Sequence, residues 1–318
     1  MLPTTMFAMT ADPSGHRLLG GFKPAPKAGD HDVVVRVLAC GVCRTDLHII
    51  DGDLPPHRPG VVPGHEVVGQ IIARGAQASR FAVGQRVGIL WLGGTCGGCA
   101  FCSMQRENLC DFPVFTGYDR DGGFAEYAAA DERFCFALPG RYADCHAAPL
   151  LCAGLIGFRA WRLAGEAAPH RLGLYGFGAA AHIVCQIAVS QQQQVHAFTQ
   201  PGDAAGQRFA RSLGATWAGG SDERGDGTGS LSARPAGSGK CGIARLLQIQ
   251  HWPFIFRAAS RLAKYQTAPG RTQYIETYRA TAKFRKFKAC RKSRGQGAAA
   301  GNAGFSIFDF QSTQGDSS

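Results

Sequence analysis

The chain has 318 residues, of which 45% are hydrophobic and 18% charged, and this length is enough for two folded domains. No uninterrupted apolar run is long enough to cross a bilayer, which disfavours a membrane protein. The N-terminal residues lack the basic start and the apolar block of a secretory signal, so we expect a cytoplasmic protein. In that compartment the 12 cysteines predict reduced thiols, several at metal-type spacing, rather than disulfides.

The net charge of +11 comes from one end of the chain. Residues 1–222 contain 18 basic and 18 acidic residues, whereas residues 223–318 contain 16 and 5. Within that tail, RATAKFRKFKACRKSRGQG interleaves basic and aromatic residues, which leaves nucleic-acid binding as an alternative function. Such runs are more often solvated or disordered, so we expect no nucleic-acid partner.

Residues 32–90 contain short β-branched runs separated by glycine and proline. The three clearest runs are DVVVRVLACGVC, EVVGQIIARG and VGQRVGIL. Their composition is typical of strands, and it predicts a β-rich domain over residues 1–149.

The pattern changes near Leu150. The stretch LLCAGLIGFRAWRLAG has apolar residues at helical spacing, and LGLYGFG is typical of a buried strand that enters a tight turn. Further along, AAAHIVCQIAVSQQQ and AAGQRFARSLG predict helices, while QVHAFT and ATWAG predict strands. This strand-helix series over residues 150–222 is the repeating unit of a parallel sheet with crossover helices, so the fold class is α/β.

The sheet is predicted to be incomplete. A doubly wound sheet continues with more alternating strands and helices, and residues 223–318 show no such pattern. Directly after Asp222 the sequence ERGDGTGSLSARPAGSGKCG is rich in glycine and serine instead. We therefore expect an atypical basic tail over residues 223–318, disordered in whole or in part.

Three separate segments carry residues that can bind a catalytic zinc ion. Cys43 lies in CGVCRTDLH, His65 in PGHEVVG and Cys152 in LLCAG. Such a site needs a few sulfur or nitrogen ligands and one open position for a substrate oxygen. Taken singly, each residue has a simpler interpretation, because isolated cysteines and histidines are often only core residues.

Four cysteines form the sharpest motif in the chain, with the spacing C-x2-C-x2-C-x7-C. They are Cys96, Cys99, Cys102 and Cys110. Four thiolates can close a tetrahedral site without an open position, so a structural zinc ion is predicted. The loop has few apolar residues, and metal coordination must fix its shape. An iron–sulfur cluster or free thiols are the alternatives.

A glycine-rich turn follows the LGLY strand and opens a helix. Its sequence GFGAAA gives the pattern G-x-G-x-x-A, whose three specified positions are Gly176, Gly178 and Ala181. The glycines let the backbone approach a pyrophosphate, whose charge the helix N-terminus attracts. A turn that serves only packing is the alternative.

Together these motifs resemble the zinc-dependent medium-chain alcohol dehydrogenases from about residue 33 to residue 220. The resemblance implies a GroES-like catalytic domain over residues 1–149, with a structural zinc loop at 96–110, and a partial Rossmann-type cofactor domain over residues 150–222. It also implies two zinc ions per chain. The catalytic ion is held by Cys43, His65 and Cys152, and the structural ion by the four cysteines above.

The resemblance further assigns roles to residues beside the catalytic ligands. Glu66 corresponds to the acidic residue beneath the zinc ion, and Asp46 to the carboxylate that orients the ligand histidine. Thr45 corresponds to the hydroxyl that hydrogen-bonds the alcohol. His48 corresponds to the outer end of the proton relay.

The cofactor and substrate contacts are less firmly indicated. Arg44 matches a position near the cofactor pyrophosphate, with a solvated surface charge as the alternative. In the family an acidic residue at the end of the next strand normally binds the ribose of NAD. Thr199 or Gln200 occupies this position here, and neither is acidic. The choice between NAD and NADP therefore stays open, although the resemblance favours NAD. Trp91 matches a position that lines the substrate pocket, although it can equally be a core residue.

The implied activity is hydride transfer between a small alcohol and NAD(P) through a zinc-bound alkoxide, with an aldehyde or ketone in the reverse direction. An NADPH-linked aldehyde reductase resembling cinnamyl alcohol dehydrogenases is an alternative. A catalytically impaired zinc-binding protein is another, because the cofactor domain is incomplete. Members of this family usually form homo-oligomers, which the incomplete sheet puts in doubt here.

The switch in composition after Asp222 suggests a change of reading frame in a GC-rich gene. DNA sequencing around codon 222 tests this hypothesis. An alternative frame that encodes the missing strands and helices is the expected result, and the lack of any such frame would contradict it.

Overall fold

The computed structural model describes residues 3–14, 16–54, 57–164 and 171–223, and the backbone of residues 288–289 and 307–309. The rest of the predicted basic tail, and with it the nucleic-acid alternative, lies outside the described residues. The chain divides into two compact units. The first contains Met1–Arg159 and Gly178–Val184, with the two short C-terminal stretches, and the second contains Ala160–Phe177 and the part of the chain from Cys185 onward that is described.

The main sheet of the first unit is antiparallel, and its two longest strands coincide with β-branched runs of the sequence, as predicted. Its strands are β3 (Asp32–Gly41), β4 (Glu66–Arg74), β5 (Arg86–Ile89), β8 (Tyr127–Asp131), β9 (Cys135–Ala137), β13 (Lys288–Ala289) and β14 (Ile307–Asp309). The order of the strands is β13-β14-β3-β4-β5-β9. Strand β8 lies outside this order and pairs with the N-terminal half of β3, whereas β14 pairs with the C-terminal end of β3.

Two smaller antiparallel pairs complete the strands of this unit. They are β1 (Thr5–Ala11) with β2 (Leu18–Pro24), and β6 (Leu92–Gly94) with β7 (Val114–Phe115). The helices are α1 (Arg44–Ile50), α2 (Ala100–Ser103) and α3 (Asp144–Ala147), and α4 (Ala153–Ala164) begins in this unit.

Valines of β3 form the centre of the core. Val33, Val34, Val35 and Val37 are fully buried, which means that both faces of the strand are covered. This explains why three consecutive valines, Val33 to Val35, stand where an alternation of apolar and polar residues would otherwise be expected. Each such side chain contributes roughly 1.5–3 kcal/mol through burial.

The register of β3 against β4 positions the chemistry. Cys40 lies opposite Val67, and Gly41 lies opposite Glu66. The chain that leaves β3 and the chain that enters β4 are therefore neighbours at the same end of the sheet. Cys43 follows β3 by two residues, and His65 directly precedes β4.

The second unit contains a three-stranded parallel sheet among its described residues. Its strands are β10 (Arg171–Tyr175), β11 (Gln194–Thr199) and β12 (Trp217–Gly220), in that order. The helices between them are α5 (Ala179–Ser190), which the two units share, and α6 (Ala204–Ser212). Every strand and helix predicted from residues 150–222 is present.

Among the described residues no single helix is long and apolar enough to cross a membrane. One pair of consecutive helices, Asp144–Leu151 and Ala153–Ala164, passes the length and composition criteria together, with a bend of 50° between them.

The thiol prediction is largely correct. Nine cysteines in the described part of the chain are free. Cys145 is the exception, because it is disulfide-bonded.

The turn after β4 offers a test of close packing. A Cβ atom at Gly75 would lie 1.9 Å from the carbonyl oxygen of Gly29 and 2.4 Å from that of Asp30. We expect Gly75→Ala to lower the free energy of unfolding by about 1–3 kcal/mol, since backbone atoms cannot move aside as a flexible side chain can. Urea unfolding followed by circular dichroism measures this change. The control is Gly140→Ala, where no atom lies within 4 Å; equal stability losses in both variants would contradict the prediction.

Candidate active site and metal centres

Three elements of the first unit bring the predicted catalytic ligands together. Cys43 immediately precedes α1, His65 precedes β4, and Cys152 lies between the 3-10 turn Ala148–Leu151 and α4. The sulfur atoms of Cys43 and Cys152 are 3.7 Å apart. One ligand atom each from Cys43, His65, Glu66 and Cys152 lies within 4.8 Å of all the others. The structure thus gathers the sequence-predicted ligands into one group and adds Glu66 to it.

Asp46 ties two of these segments to each other. Its Oδ2 atom accepts the backbone N–H of Cys43 at 2.8 Å. Its Oδ1 atom accepts the backbone N–H of Gly64 and lies 3.0 Å from Nδ1 of His65. Because a carboxylate can only accept, Nδ1 carries a proton, and in the neutral imidazole the lone pair of His65 is then at Nε2. The expected positioning role of Asp46 therefore has a geometric basis.

Glu66 is held beneath this group by close backbone contacts. Its side chain accepts a hydrogen bond from the backbone N–H of Ala153. A Cβ atom at Gly41 would lie only 1.9 Å from Oε2 of Glu66, so glycine is required for the carboxylate to take this place. The pKa of Glu66 is raised to about 8, mainly by burial; the charge of His65 opposes this rise, and the nearby Cys43 and Asp46 add to it.

The sulfur and nitrogen ligands influence one another strongly. A hydrogen bond from the Cys152 thiol lowers the pKa of Cys43, and the same contact raises the pKa of Cys152. Burial acts to lower the pKa of His65, but the charges of Asp46 and Cys43 outweigh it and place that pKa well above its usual range. A divalent cation bound here competes with these protons.

The residues fit a zinc ion. Nε2 of His65 and Oε2 of Glu66 are buried and form no hydrogen bond. A buried polar atom without a partner costs about 1–3 kcal/mol, so both atoms require an explanation. Two thiol sulfurs and an imidazole nitrogen at this separation are the donor set that zinc prefers.

The two predicted relay residues lie on α1, three positions apart. Oγ1 of Thr45 is 3.7 Å from the sulfur of Cys43. The side chain of His48 is 43% exposed, and its Nδ1 lies 3.1 Å from Oδ2 of Asp53. Residues three apart on a helix share a face. Thr45 is therefore beside the cluster, and His48 reaches solvent one turn later.

Trp91 contacts the ligand His65 and two further aromatic rings. Its ring meets the ring of His65 edge to face at a centroid distance of 4.9 Å. The other side of the indole stacks on Phe115 at 4.8 Å, and Tyr118 lies 6.0 Å away. Leu54 packs against the same apolar cluster. We call Trp91, Phe115 and Tyr118 the aromatic wall.

The four-cysteine loop lies between β6 and β7, whose pairing closes its base. One sulfur from each of its four cysteines lies within 4.8 Å of the others. The sulfur of Cys110 accepts the backbone N–H groups of Cys96 and Phe112, both at 3.3 Å. Gly97 has a φ of 72°, a conformation that lets the chain bend between neighbouring cysteines.

This second group also fits zinc. A tetrahedral zinc site with sulfur ligands places those sulfurs about 3.8 Å apart, and the Cys96 and Cys110 sulfurs are 3.5 Å apart. Hydrogen bonds from the backbone of Asp111 and Cys102 lower the pKa of Cys99, which favours the thiolate form that binds metal. All four positions would be filled by protein, which is the arrangement of a structural site.

The predicted cofactor turn has the backbone geometry that the motif requires. Gly176 has a φ of 80°, and its N–H donates to the carbonyl of Phe198. A Cβ atom at Gly178 would meet no atom of the described residues within 4 Å. Ala181, in the first turn of α5, is buried.

The other residues predicted near the cofactor differ in exposure and in whether internal hydrogen bonds already engage their side chains. Arg44 is exposed, and its side chain makes no ion pair or hydrogen bond within the described residues. The hydroxyl of Thr199 donates to the carbonyl of Gly219 and accepts from Gln207, so internal contacts occupy it. Gln200 is exposed.

Several residues that shape the site did not emerge from the sequence. Gly41 and Gly64 flank the ligands, and a Cβ at Gly64 would lie 2.6 Å from Phe124. Asp53 pairs with His48, and Phe115 and Tyr118 extend the wall from Trp91. The glycines beside Cys43 and His65 were the one available signal, since a glycine next to a ligand often marks close backbone approach.

Comparisons with known proteins agree with this geometry. The family described as Alcohol dehydrogenase GroES-like domain matches residues 29–140. The "Probable alcohol dehydrogenase AdhA" of Mycobacterium tuberculosis is 48% identical over 196 residues, which cover 60% of this chain and 56% of that protein. A cinnamyl alcohol dehydrogenase structure from Sorghum bicolor has a TM-score of 0.61 at 31% identity, covering 68% of this chain and 64% of its own. An acetophenone reductase from Geotrichum candidum in complex with NAD has a TM-score of 0.62 at 26% identity, covering 69% and 64%.

The chain spans a little over half of the mycobacterial relative and less than two thirds of either structure. The predicted fold class, with a GroES-like unit and a Rossmann-type parallel sheet, is confirmed. Residues 29–140 thus match the GroES-like domain family of alcohol dehydrogenases, and the covered part of the chain is similar to alcohol dehydrogenases of this type.

Proposed function

We propose that this chain is a zinc-dependent alcohol dehydrogenase that interconverts a small alcohol and its aldehyde or ketone with NAD(P). The observation that carries the proposal is the buried group of Cys43, His65 and Cys152, in which the unpartnered Nε2 of His65 faces two sulfurs. The similar proteins described above, two alcohol dehydrogenases and an acetophenone reductase in complex with NAD, support the same chemistry.

The proposed ligands of the catalytic zinc ion are Cys43, His65 and Cys152. Once bound, zinc supplies Lewis acidity toward a hydroxyl or carbonyl oxygen, and a nicotinamide dinucleotide supplies the hydride acceptor or donor. Asp46 holds His65 in the tautomer and orientation that present Nε2. Glu66 accepts a hydrogen bond from the backbone of Ala153 and is the proposed acidic residue beneath the zinc ion.

Thr45 and His48 are the proposed route for the proton. The Thr45 hydroxyl lies next to the Cys43 sulfur, where it can hydrogen-bond an alcohol held at the cluster. His48 lies on the same face of α1 and is half exposed, and its Nδ1 lies 3.1 Å from Oδ2 of Asp53. A proton can thus pass from a dry site toward water.

The proposed cofactor contacts are the turn at Gly176 and Gly178, Ala181 at the start of α5, Arg44 and Gln200. The described residues at the end of β11 offer no carboxylate, and Thr199 is engaged internally. Preference for NAD over NADP therefore stays a prediction. Comparison of turnover with NADH and NADPH decides it, and a strong preference for NADPH with bulky aldehydes would favour the cinnamyl-type reductase.

The proposed domain limits are residues 1–149, 150–222 and 223–318. The proposed structural zinc ligands are Cys96, Cys99, Cys102 and Cys110. The cytoplasmic location, the lack of a nucleic-acid or membrane partner and the state of oligomerisation stay predictions.

Replacement of a catalytic ligand gives the most direct test of the function. The purified chain is expected to bind two zinc ions, one in each ligand group, and to reduce NAD(P) in the presence of short alcohols. Cys43→Ser is expected to remove one of the two ions and to abolish turnover, because a neutral serine hydroxyl is a poor zinc ligand. Elemental analysis and nicotinamide absorbance measure the two effects.

Two matched variants control this experiment. Cys99→Ser is expected to remove the other zinc ion and lower the thermal stability. Cys185→Ala replaces a buried cysteine outside both ligand groups and is expected to keep both ions. Full metal content and turnover in Cys43→Ser would refute the proposed function.

Asp46→Asn tests the proposed positioning of His65. All three groups that face the Asp46 carboxylate are N–H donors. The NH2 group of asparagine cannot accept a hydrogen bond, so at least one of these donors would lose its acceptor. We expect the affinity for the catalytic zinc ion to fall roughly 10- to 100-fold, measured by competition with a chelator. Asp144→Asn, at a partly exposed pair with Arg86, is the control. An unchanged affinity in Asp46→Asn would show that the histidine needs no such support.

A further inference from the structure

The stretch of chain that leads into the ligand His65 has no regular structure. Residues 61–65 belong to neither a helix nor a strand, yet all of them are buried. We call residues 62–64 the approach segment. Buried backbone N–H and carbonyl groups need hydrogen-bond partners, so other parts of the fold must supply them and thereby fix the path of this segment.

A second stretch, with the sequence DGGF, supplies most of those partners. We call residues 121–124 the DGGF segment. Its last three backbone N–H groups donate to the carbonyl oxygens of all three residues of the approach segment, at distances of 2.7 to 3.0 Å. The carboxylate of Asp121 accepts the backbone N–H of Val62 at 3.0 Å.

Asp46 completes the set of partners. Pro63 has no N–H, and the N–H of Gly64 donates to the same oxygen of Asp46 that lies 3.0 Å from Nδ1 of His65. Every backbone polar group of the approach segment thus has a partner, and four of the five partners lie on the DGGF segment. Asp46 and the DGGF segment together fix the backbone from which the side chain of His65 projects.

The two segments approach so closely that glycine is required between them. A Cβ atom at Gly122 would lie 2.0 Å from the carbonyl oxygen of Gly64 and 2.8 Å from that of Pro63. Gly117 faces the same stretch, because a Cβ atom there would lie 2.9 Å from the backbone nitrogen of Gly64. Backbone atoms have no rotamers with which to avoid such contacts, so a side chain at Gly122 would displace the approach segment.

Two cations orient the carboxylate of Asp121. Its Oδ2 atom accepts from Nζ of Lys23 at 2.6 Å, and its Oδ1 atom accepts from Arg58 as well as from Val62. Burial acts to raise the pKa of Asp121, but the hydrogen bonds from Lys23 and Val62 outweigh it and lower that pKa. The group is therefore a carboxylate at neutral pH, which is a strong acceptor for a backbone N–H.

We propose that the DGGF segment positions His65 for zinc binding, with Asp121 and Gly122 as the positioning residues. Neither residue belongs to the ligand group, so both act through the approach segment. A shift of that segment carries Nε2 of His65 away from the two sulfurs, and such sites tolerate displacements of only about 0.5 Å. The inference rests on the proposed zinc-dependent function and deepens it by naming two residues that set the affinity for the catalytic ion.

Gly122→Ala tests the close approach. The added methyl group meets the carbonyl oxygen of Gly64, and we expect the affinity for the catalytic zinc ion to fall roughly 10- to 100-fold, as for other residues that orient a metal ligand. The matched control is Gly140→Ala, where a Cβ atom meets no atom of the described residues within 4 Å. This control is expected to keep the parental affinity.

Three milder variants test the carboxylate. Asp121→Ala removes the acceptor of the Val62 N–H, and we expect a loss of roughly 10-fold in the same affinity. Asp121→Asn keeps an amide oxygen for that N–H and is expected to restore nearly the parental value. Lys23→Ala removes a partly exposed ion pair but leaves the bond to Val62, so its affinity is expected to stay parental.

Zinc content measured by competition with a chelator on the full chain separates positioning from a general loss of folding. The four-cysteine group serves as the internal control, because it shares no residue with either segment. Positioning predicts that Gly122→Ala and Asp121→Ala lose the catalytic ion alone. A general loss of folding releases both ions together.

Cobalt(II) in place of zinc reports the geometry of the ligand group, because its visible absorption depends on how the ligands are arranged. Each spectrum is compared with that of the same chain carrying Cys43→Ser, and the difference isolates the catalytic ion. We expect altered absorption in Gly122→Ala and Asp121→Ala, with the parental spectrum in Asp121→Asn and Lys23→Ala.

The outcomes separate this inference from the function on which it rests. Parental affinity and cobalt spectra in Gly122→Ala and Asp121→Ala, or an equal loss of both ions, would overturn the positioning role. A parent chain that binds two zinc ions but turns over no alcohol would refute the proposed function. The affinities of the variants then still decide whether the DGGF segment positions His65.

Discussion

One buried carboxylate organises the candidate catalytic site. Asp46 is fully buried, and burial of a charged group is costly unless hydrogen bonds replace its hydration. Its oxygens meet that requirement with N–H groups of Cys43, Gly64 and His65, which come from two segments at one end of the central sheet. The same bonds that stabilise the carboxylate therefore fix the start of α1, the approach to β4 and the tautomer of the histidine.

Close backbone approach is the second requirement of the site. Side chains larger than hydrogen at Gly41 or Gly64 would overlap Glu66, Phe124 or Cys40. These glycines let the carboxylate of Glu66 and the ring of His65 reach the two sulfurs without displacing the core around β3 and β4. The strong pKa shifts at the cluster follow from this compactness, since burial and close charges act on every group in it.

Local patterns made much of this structure predictable. Continuous valines predicted β3, the cysteine spacing predicted the closed four-sulfur group, and the glycine turn predicted the junction of β10 and α5. The contacts of His48 with Asp53 and of His57 with Asp119 have no such signal, because they depend on the paths of loops with no periodicity. Short strands such as β6 and β7 were missed for the same reason, since pairs of two or three residues show no alternation.

The proposed zinc ligands lie in one of the two units. All seven cysteine and histidine ligands of the two metal groups lie in the first unit, where the β3–β4 register and the pairing of β6 with β7 hold them. Strands β10 to β12 contribute to neither group. The proposed zinc ligands are therefore held by contacts within Met1–Arg159, whereas the proposed cofactor turn follows a strand of the three-stranded sheet among the described residues.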